Sequence, residues 1–145
     1  MREITVKEKK EIIETDKYFE DRGQYIKRMN ESGYVIYTPD DNEVLLDLDD
    51  DVAYTRFTLA LTRLRNEFGG VKAKWRASKS GLPHRHVVVL FPIVDFDAPS
   101  RIALQAIMGS DLTREMLSLF RHWHEDPCPS LLCIAGDINT GWVEV

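Results

Sequence analysis

Cysteine is scarce in this sequence: Cys128 and Cys133 are the only two in 145 residues. One possible bridge cannot staple a chain of this length, so stability must come from a buried core, which this length can supply. Both are read as free thiols of an intracellular chain. Long hydrophobic runs are missing as well. No stretch approaches the roughly 20 apolar residues that a membrane-spanning helix needs, so no membrane partner is expected. The opening MREITVKEKKEII is charged and lacks the apolar centre of a signal peptide, and a cytoplasmic location is the expectation. Positive charge is not in excess: 19 Lys and Arg face 24 Asp and Glu, a net charge of -5. That balance excludes coating of nucleic acid by bulk charge. It leaves room for an enzyme whose carboxylates are neutralised by metal. Repeats, low-complexity segments and linkers are absent too, and residues 1–145 are expected to form a single domain.

What is present is an ordinary globular balance, 43% apolar and 30% charged. Residues 4–30 place Ile12, Ile13, Phe19, Tyr25, Ile26 and Met29 at roughly helical spacing, with Gly23 as a candidate interruption. GYVIYT (33–38) is β-branched and aromatic and reads as a strand. PDDN (39–42) reads as a turn, and EVLLDL (43–48) as the partner strand of a hairpin with 33–38. DDD (49–51) can cap the helix that follows, from about 52 to 68, which Gly69 and Gly70 stop. VKAKWRASKS alternates, with Val71, Ala73 and Trp75 on one face and a basic, exposed row of Lys72, Lys74 and Arg76 on the other. SGLPHR is a tight connection to HVVVLFPI, an apolar strand buried on both sides, so the two strands make a second hairpin. Residues 98–125 form a helical segment in two parts: Pro99 suits the first turn, and Ser110 or Asp111 caps the second helix. SLLCIAGDI (130–138) is the last full strand, and NTGWVEV a tail or edge strand. The class is α+β, an antiparallel sheet with helices packed against it.

Two segments carry chemistry. EVLLDLDDD ends an apolar strand in alternating carboxylates, and a period of two puts Asp47 and Asp49 on one face. Asp49, Asp50 and Asp51 are explained equally well as a strand end entering a helix cap. Asp47 is not, because Leu45, Leu46 and Leu48 surround it, and a carboxylate among apolar groups needs a partner. Magnesium or manganese fits, since both prefer oxygen ligands and magnesium takes one or two carboxylates plus substrate phosphates. SKSGLPHRHVVVLF then places His86 at the start of the apolar strand, after a turn in which Ser80 and Gly81 permit close backbone approach to an anion. A histidine beside phosphate can donate a hydrogen bond or offset developing charge.

LLDLDD, followed some thirty residues on by SGLPHRHVVV, resembles the archaeo-eukaryotic primase (primase-polymerase) superfamily. That family's first motif is an apolar strand ending in D-x-D or D-x-E. Its second is S-G-x-x-x-x-H followed by an apolar strand. The likeness covers about residues 33–95 and implies an RRM-like catalytic module. It implies that Asp47 and Asp49 hold catalytic Mg²⁺ or Mn²⁺, and that Ser80, Gly81 and His86, with Lys79 beside them, contact the phosphates of an incoming nucleoside triphosphate. A third acid would be supplied by Asp137 after the last strand, with Asp95 and Asp97 as weaker placements. The implied partners are a single-stranded template, nucleoside triphosphates and a replication protein. The basic row of Lys72, Lys74 and Arg76 is the candidate template guide.

Other readings compete. A non-catalytic nucleic-acid- or nucleotide-binding accessory module would keep the same fold. An acidic protein-interaction domain would need neither motif. His84 and His86 at strand spacing, with Tyr54 or Tyr25 as nucleophile, outline a nicking site, although Arg85 stands where an apolar residue is normal. His122, His124, Cys128 and Cys133 are the candidates for structural zinc. Residues 100–123 have the spacing of a helix-turn-helix, with Arg114 and Arg121 as its candidate base contacts.

Overall fold

Three consecutive valines determine the centre of the fold. Val87, Val88 and Val89 alternate to opposite sides of a strand, and all three are buried. Their strand therefore needs cover on both faces. The computed structural model describes residues 22–145. The chain is α+β, with α1 (Arg22–Glu31), β1 (Tyr34–Tyr37), β2 (Glu43–Leu48), α2 (Asp51–Glu67), β3 (Lys72–Ala77), β4 (Arg85–Leu90), α3 (Ala98–Ile107), α4 (Leu112–Trp123), β5 (Leu132–Ala135) and β6 (Val143–Glu144). Strands β2-β4-β3-β6 form one antiparallel sheet, and β1 with β5 forms a separate two-stranded ribbon. Among the described residues no helix is long and apolar enough to cross a membrane. Of the helix expected over residues 4–30, the part before residue 22 lies outside the described residues. Gly23 does not interrupt the remainder, since it sits inside α1.

One face of the sheet packs against α2. Val44, Leu46 and Leu48 of β2 and Val87 and Val89 of β4 meet Phe57 and Leu61 of the helix, with Met108 closing the end. Asp50 caps α2 by accepting a hydrogen bond from the Ala53 amide at 2.7 Å, as the DDD run leads one to expect. The opposite face is covered by the ribbon. Leu45 and Val88 pack on Leu132 and Ile134, flanked by Tyr37, Ile138 and Trp142.

Three expectations are corrected. First, residues 33–38 and 43–48 do not pair with each other. Tyr34–Tyr37 pairs with Leu132–Ala135, while β2 pairs with β4. A strand buried on both faces, as β2 is, gains more beside the valines of β4 than beside the half-exposed β1. Second, β2 lies at the edge of its sheet and ends at Leu48, so the period of two that was to put Asp49 on the face of Asp47 stops one residue short of it. Third, the basic row of β3 is not an open face. Arg76 donates to the carbonyls of Ala135 at 2.6 Å and Asp137 at 2.5 Å. The Lys74 ammonium lies 4.6 Å from the centre of the Trp142 ring, and only Lys72 stays exposed. The second hairpin, the two helices after Pro99 and the caps Asp97 and Asp111 form as the sequence predicts.

The exposed side of an edge strand presents unpaired amides and carbonyls. On β2 the helices α3 and α4 satisfy them. Arg101 donates to the Glu43 carbonyl at 2.8 Å, and Gln105 accepts from the Leu45 amide at 2.9 Å. Arg114 donates to the Leu45 carbonyl at 3.0 Å. The Ser110 hydroxyl accepts from the Asp47 amide at 3.0 Å, and the Asp111 amide donates to the Asp47 carbonyl at 2.8 Å. Side chains thus stand where another strand would lie, and they hold the backbone on both sides of Asp47.

Candidate functional site

Alternation along β2 puts Asp47 on the same face as Leu45, away from the α2 core. Its partner across the sheet is His86, whose own partner on the far side is Arg76. Asp47, His86 and Arg76 therefore form a transverse row where the ribbon leaves the sheet. The His86 Nε2 lies 3.8 Å from an Asp47 carboxylate oxygen, and the two side chains are 13% and 32% exposed. Just beyond the strand, Asp49 approaches His84 at 3.7 Å with both side chains well exposed. Asp51 pairs with Arg85 at 3.2 Å, and the Arg85 guanidinium stacks over Tyr54 and Trp75 on the α2 face.

Asp47 and His86 form the floor of a cleft of about 450 Å³ between the sheet, α1, α4 and the approach to β5. Its helical walls carry Arg28, Asp111, Arg114, Leu117 and Arg121. Beneath Asp47 lies a buried polar network. Gln105 donates to Glu115 at 2.6 Å and to Ser130 at 3.2 Å, the Ser110 hydroxyl donates to Glu115 at 3.4 Å, and Arg114 pairs with Glu115. Arg114 also donates to the Leu131 carbonyl at 3.0 Å. This guanidinium is therefore committed to carbonyls, which removes it as a base-reading side chain, and α3 and α4 serve as the cover of β2.

The electrostatics follow from burial. Asp47 is held above the ordinary carboxylate range first by burial; Arg114 opposes this and the Asp111 carboxylate adds to it. Asp49 is raised as well, by burial and then by repulsion from Asp111 and Asp47. His86 is pushed down to about 4 by burial, reinforced by the positive charges of Arg114 and Arg76. At neutral pH its imidazole is thus uncharged, able to donate from one nitrogen and accept at the other. The cleft floor thus sets a carboxylate raised by burial and by Asp111 beside a histidine that does not neutralise it.

The other expected site residues lie elsewhere. Lys79, Ser80 and Gly81 sit in the β3–β4 turn and do not line the cleft. There the Ser78 and Ser80 hydroxyls bond each other at 2.9 Å, and the Lys79 ammonium lies 5.0 Å from the Tyr34 ring centre. Asp137 is also outside the cleft, and its carboxylate accepts from the Asn139 amide at 2.9 Å. The acid that does face Asp47 is Asp111, which reads from sequence only as a helix cap. Asp97 likewise caps α3, by accepting from the Ser100 amide at 2.8 Å. Among the described residues no three His, Cys, Asp or Glu side chains converge as metal ligands, neither the zinc candidates nor the expected set of Asp47, Asp49 and Asp137. Cys133 meets the Tyr25 hydroxyl at 3.0 Å. Of the nicking-site tyrosines, Tyr54 packs on the α2 face with Phe57 and Trp75, away from His86, whereas Tyr25 lines the cleft.

No family model, curated protein or solved structure matches this chain.

Proposed function

We propose that the chain is a metal-dependent nucleotidyltransferase of the primase-polymerase type, extending nucleic acid on a single-stranded template from nucleoside triphosphates, in cytoplasmic replication or repair and alongside a replication protein. The observation that carries this reading is the cross-strand pair of Asp47 and His86 facing one cleft. Order also supports it. The helix α2 connects β2 to β3, and β4 lies between those two strands, which matches three strands of an RRM-like module; its fourth, on the outer edge of β2, is replaced by side chains of α3 and α4.

The donor set suits Mg²⁺ or Mn²⁺. Asp47 offers a hard oxygen ligand inside the cleft and Asp49, beside His84 and outside the cleft lining, a second one just beyond it; both are raised by burial and then by neighbouring carboxylate charge, a repulsion that a divalent cation relieves. Two protein carboxylates leave the remaining positions to water and substrate phosphates, the usual arrangement for magnesium. When bound, such ions activate a hydroxyl nucleophile and stabilise charge during phosphoryl transfer. The chain's own residues do the rest. Asp47 is fixed from both sides of its backbone by Ser110 and Asp111. His86, uncharged, donates its N–H toward a phosphoryl oxygen without adding a proton to the site.

The test is incorporation of labelled nucleotide, with and without a primer, on a single-stranded template in Mg²⁺ or Mn²⁺. Wild type is expected to incorporate, and Asp47→Ala and Asp49→Ala are not. A wild type that binds nucleotide but never incorporates it belongs instead to the non-catalytic accessory class.

A further inference from the structure

The helix α4 is built inside out. Its buried side chains are Glu115 and Ser118. Its other charges also turn inward: Arg114 donates to the carbonyls of Leu45 and Leu131, and Arg121 lines the cleft. The polar side of the helix thus serves the edge of β2 and the cleft, and the apolar side faces outward. Leu112, Met116 and Trp123, with Ile107 at the end of α3, are between 57% and 68% exposed. A single exposed apolar residue needs no explanation, but a whole helix face does.

The spacing of that face defines what it fits. Leu112, Met116, the half-buried Leu119 and Trp123 recur at intervals of four, three and four, the narrow seam by which one helix pairs with another. No ionisable residue stands at those positions or at Ile107, so the seam can meet an identical seam without burying a charge. With about 100 Å² left open on each large side chain, the patch is on the order of 500 Å², near the upper end of what a monomer shows. Two copies joined there bury about 1,000 Å² before any polar rim is counted, which reaches the lower limit of a specific interface. The residues of α4 that line the cleft, among them Arg114, Leu117 and Ser118, lie on the opposite side of the helix from the seam.

We propose that α4 pairs with α4 of a second copy of this chain, seam against seam about a two-fold axis, with Ile107 at the margin of the contact. A surface that carries no charge and matches itself suits the isologous contact of a two-fold dimer, the commonest symmetric assembly. The inference does not depend on the nucleotidyltransferase reading. Because the seam and the cleft use opposite sides of α4, the dimer keeps both clefts open, and each contact presses on the helix that covers the edge of β2.

The experiment is sedimentation equilibrium of the full chain from about 1 µM to about 200 µM. Wild type is expected to dimerise with a Kd on the order of 10 µM, as a contact of this size allows. Leu112→Glu and Met116→Glu are each expected to weaken association about tenfold or more, because each sets a charge in a dry seam. Leu59→Glu, at a similarly exposed position on α2, should dimerise as wild type. A mixture of Met116→Glu with Met116→Lys should associate again, to within about threefold of wild type, because a two-fold axis through the seam brings the two positions near each other. Melting curves check that each variant is folded, and the exposure of all three positions makes folded variants the expected result. A wild type still monomeric at the highest concentration overturns the proposal, whether the seam is then taken by another part of the chain or by a different protein. A dimer that survives both Leu112→Glu and Met116→Glu overturns it by moving the contact elsewhere. A mixture that fails to associate while Met116→Glu alone is weakened rejects the two-fold arrangement.

Discussion

The two faces of the four-stranded sheet are made from alternate residues of the same strands, yet they are built for different ends. On one, Val44, Leu46, Leu48, Val87 and Val89 close against α2 as an apolar cluster, with the Arg85 guanidinium at its end over Tyr54 and Trp75. On the other, Leu45 and Val88 meet the ribbon, and one step further along each strand the pattern changes to Asp47 and His86. The first face supplies stability through apolar area. The second gives some of it up: the carboxylate of Asp47 is raised and the imidazole of His86 lowered from their ordinary ranges, both by partial burial, and that perturbation marks candidate functional groups. The lesson is that a period of two lets one strand serve both purposes without compromise in sequence.

The sharpest way to break this contrast is to cut each face separately. Leu46→Ala on the α2 face is expected to cost about 4 kcal/mol by denaturant unfolding, through lost burial and the cavity left behind. Glu115→Ala, beneath the other face, is expected to cost about 3 kcal/mol, because it strands the largely buried Arg114 guanidinium without its carboxylate. If Glu115→Ala were neutral, the polar network would not be what holds the cover on β2.

The pH dependence separates the two residues of the pair by sign. His86 falls from 6.5 to about 4 in the folded chain. The folded state then binds fewer protons than the unfolded one, so this contribution is complete above pH 6.5 and is lost as pH drops toward 4. His86→Gln should remove up to about 3 kcal/mol of that acid-side decline. Asp47 is raised, so its contribution is present at low pH and lost as pH climbs through its folded pKa. Asp47→Asn is therefore expected to be more stable than wild type at pH 7, with the gain vanishing in acid. A variant less stable at pH 7 would contradict the electrostatics assigned to the cleft. The smallest effect is expected at the helix start: Asp50→Ala should cost about 1 kcal/mol through loss of its cap on Ala53, without altering either pH slope.

Local rules explain what was legible in the sequence. The alternation that put Asp47 on a face of its own, the cap at Asp50, the Pro99 start and the β3–β4 hairpin each depend on neighbours within a few residues, and all of these are present. The pairing of β1 with β5 was not legible, because its partners lie about a hundred residues apart and the nearer β2 offered an equally apolar edge. The cover of β2 was hidden for a different reason. Arg101, Gln105, Ser110 and Arg114 look like the solvated side of two amphipathic helices, and only the fold turns them onto backbone groups of Glu43, Leu45 and Asp47. Arg76 shows the converse. Alternation places it on a polar face, as expected, but the segment after β5 crosses that face and takes up its donors. Asp111 escaped notice because capping α4 already explains it, while its position in the cleft depends on the Gly109 turn. There φ is +102, and a Cβ would stand 2.9 Å from the Ala53 carbonyl.

The most direct measurement is anomalous diffraction from crystals soaked with Mn²⁺ and a non-hydrolysable nucleoside triphosphate. The expected result is a manganese peak bonded to the Asp47 carboxylate inside the cleft, at the usual distance of about 2.1 Å for a small hard cation, with phosphate density beside it. A cleft left without manganese at saturating concentrations, or a peak only at carboxylates elsewhere on the surface, would contradict the assignment of Asp47 and His86 as the centre of function.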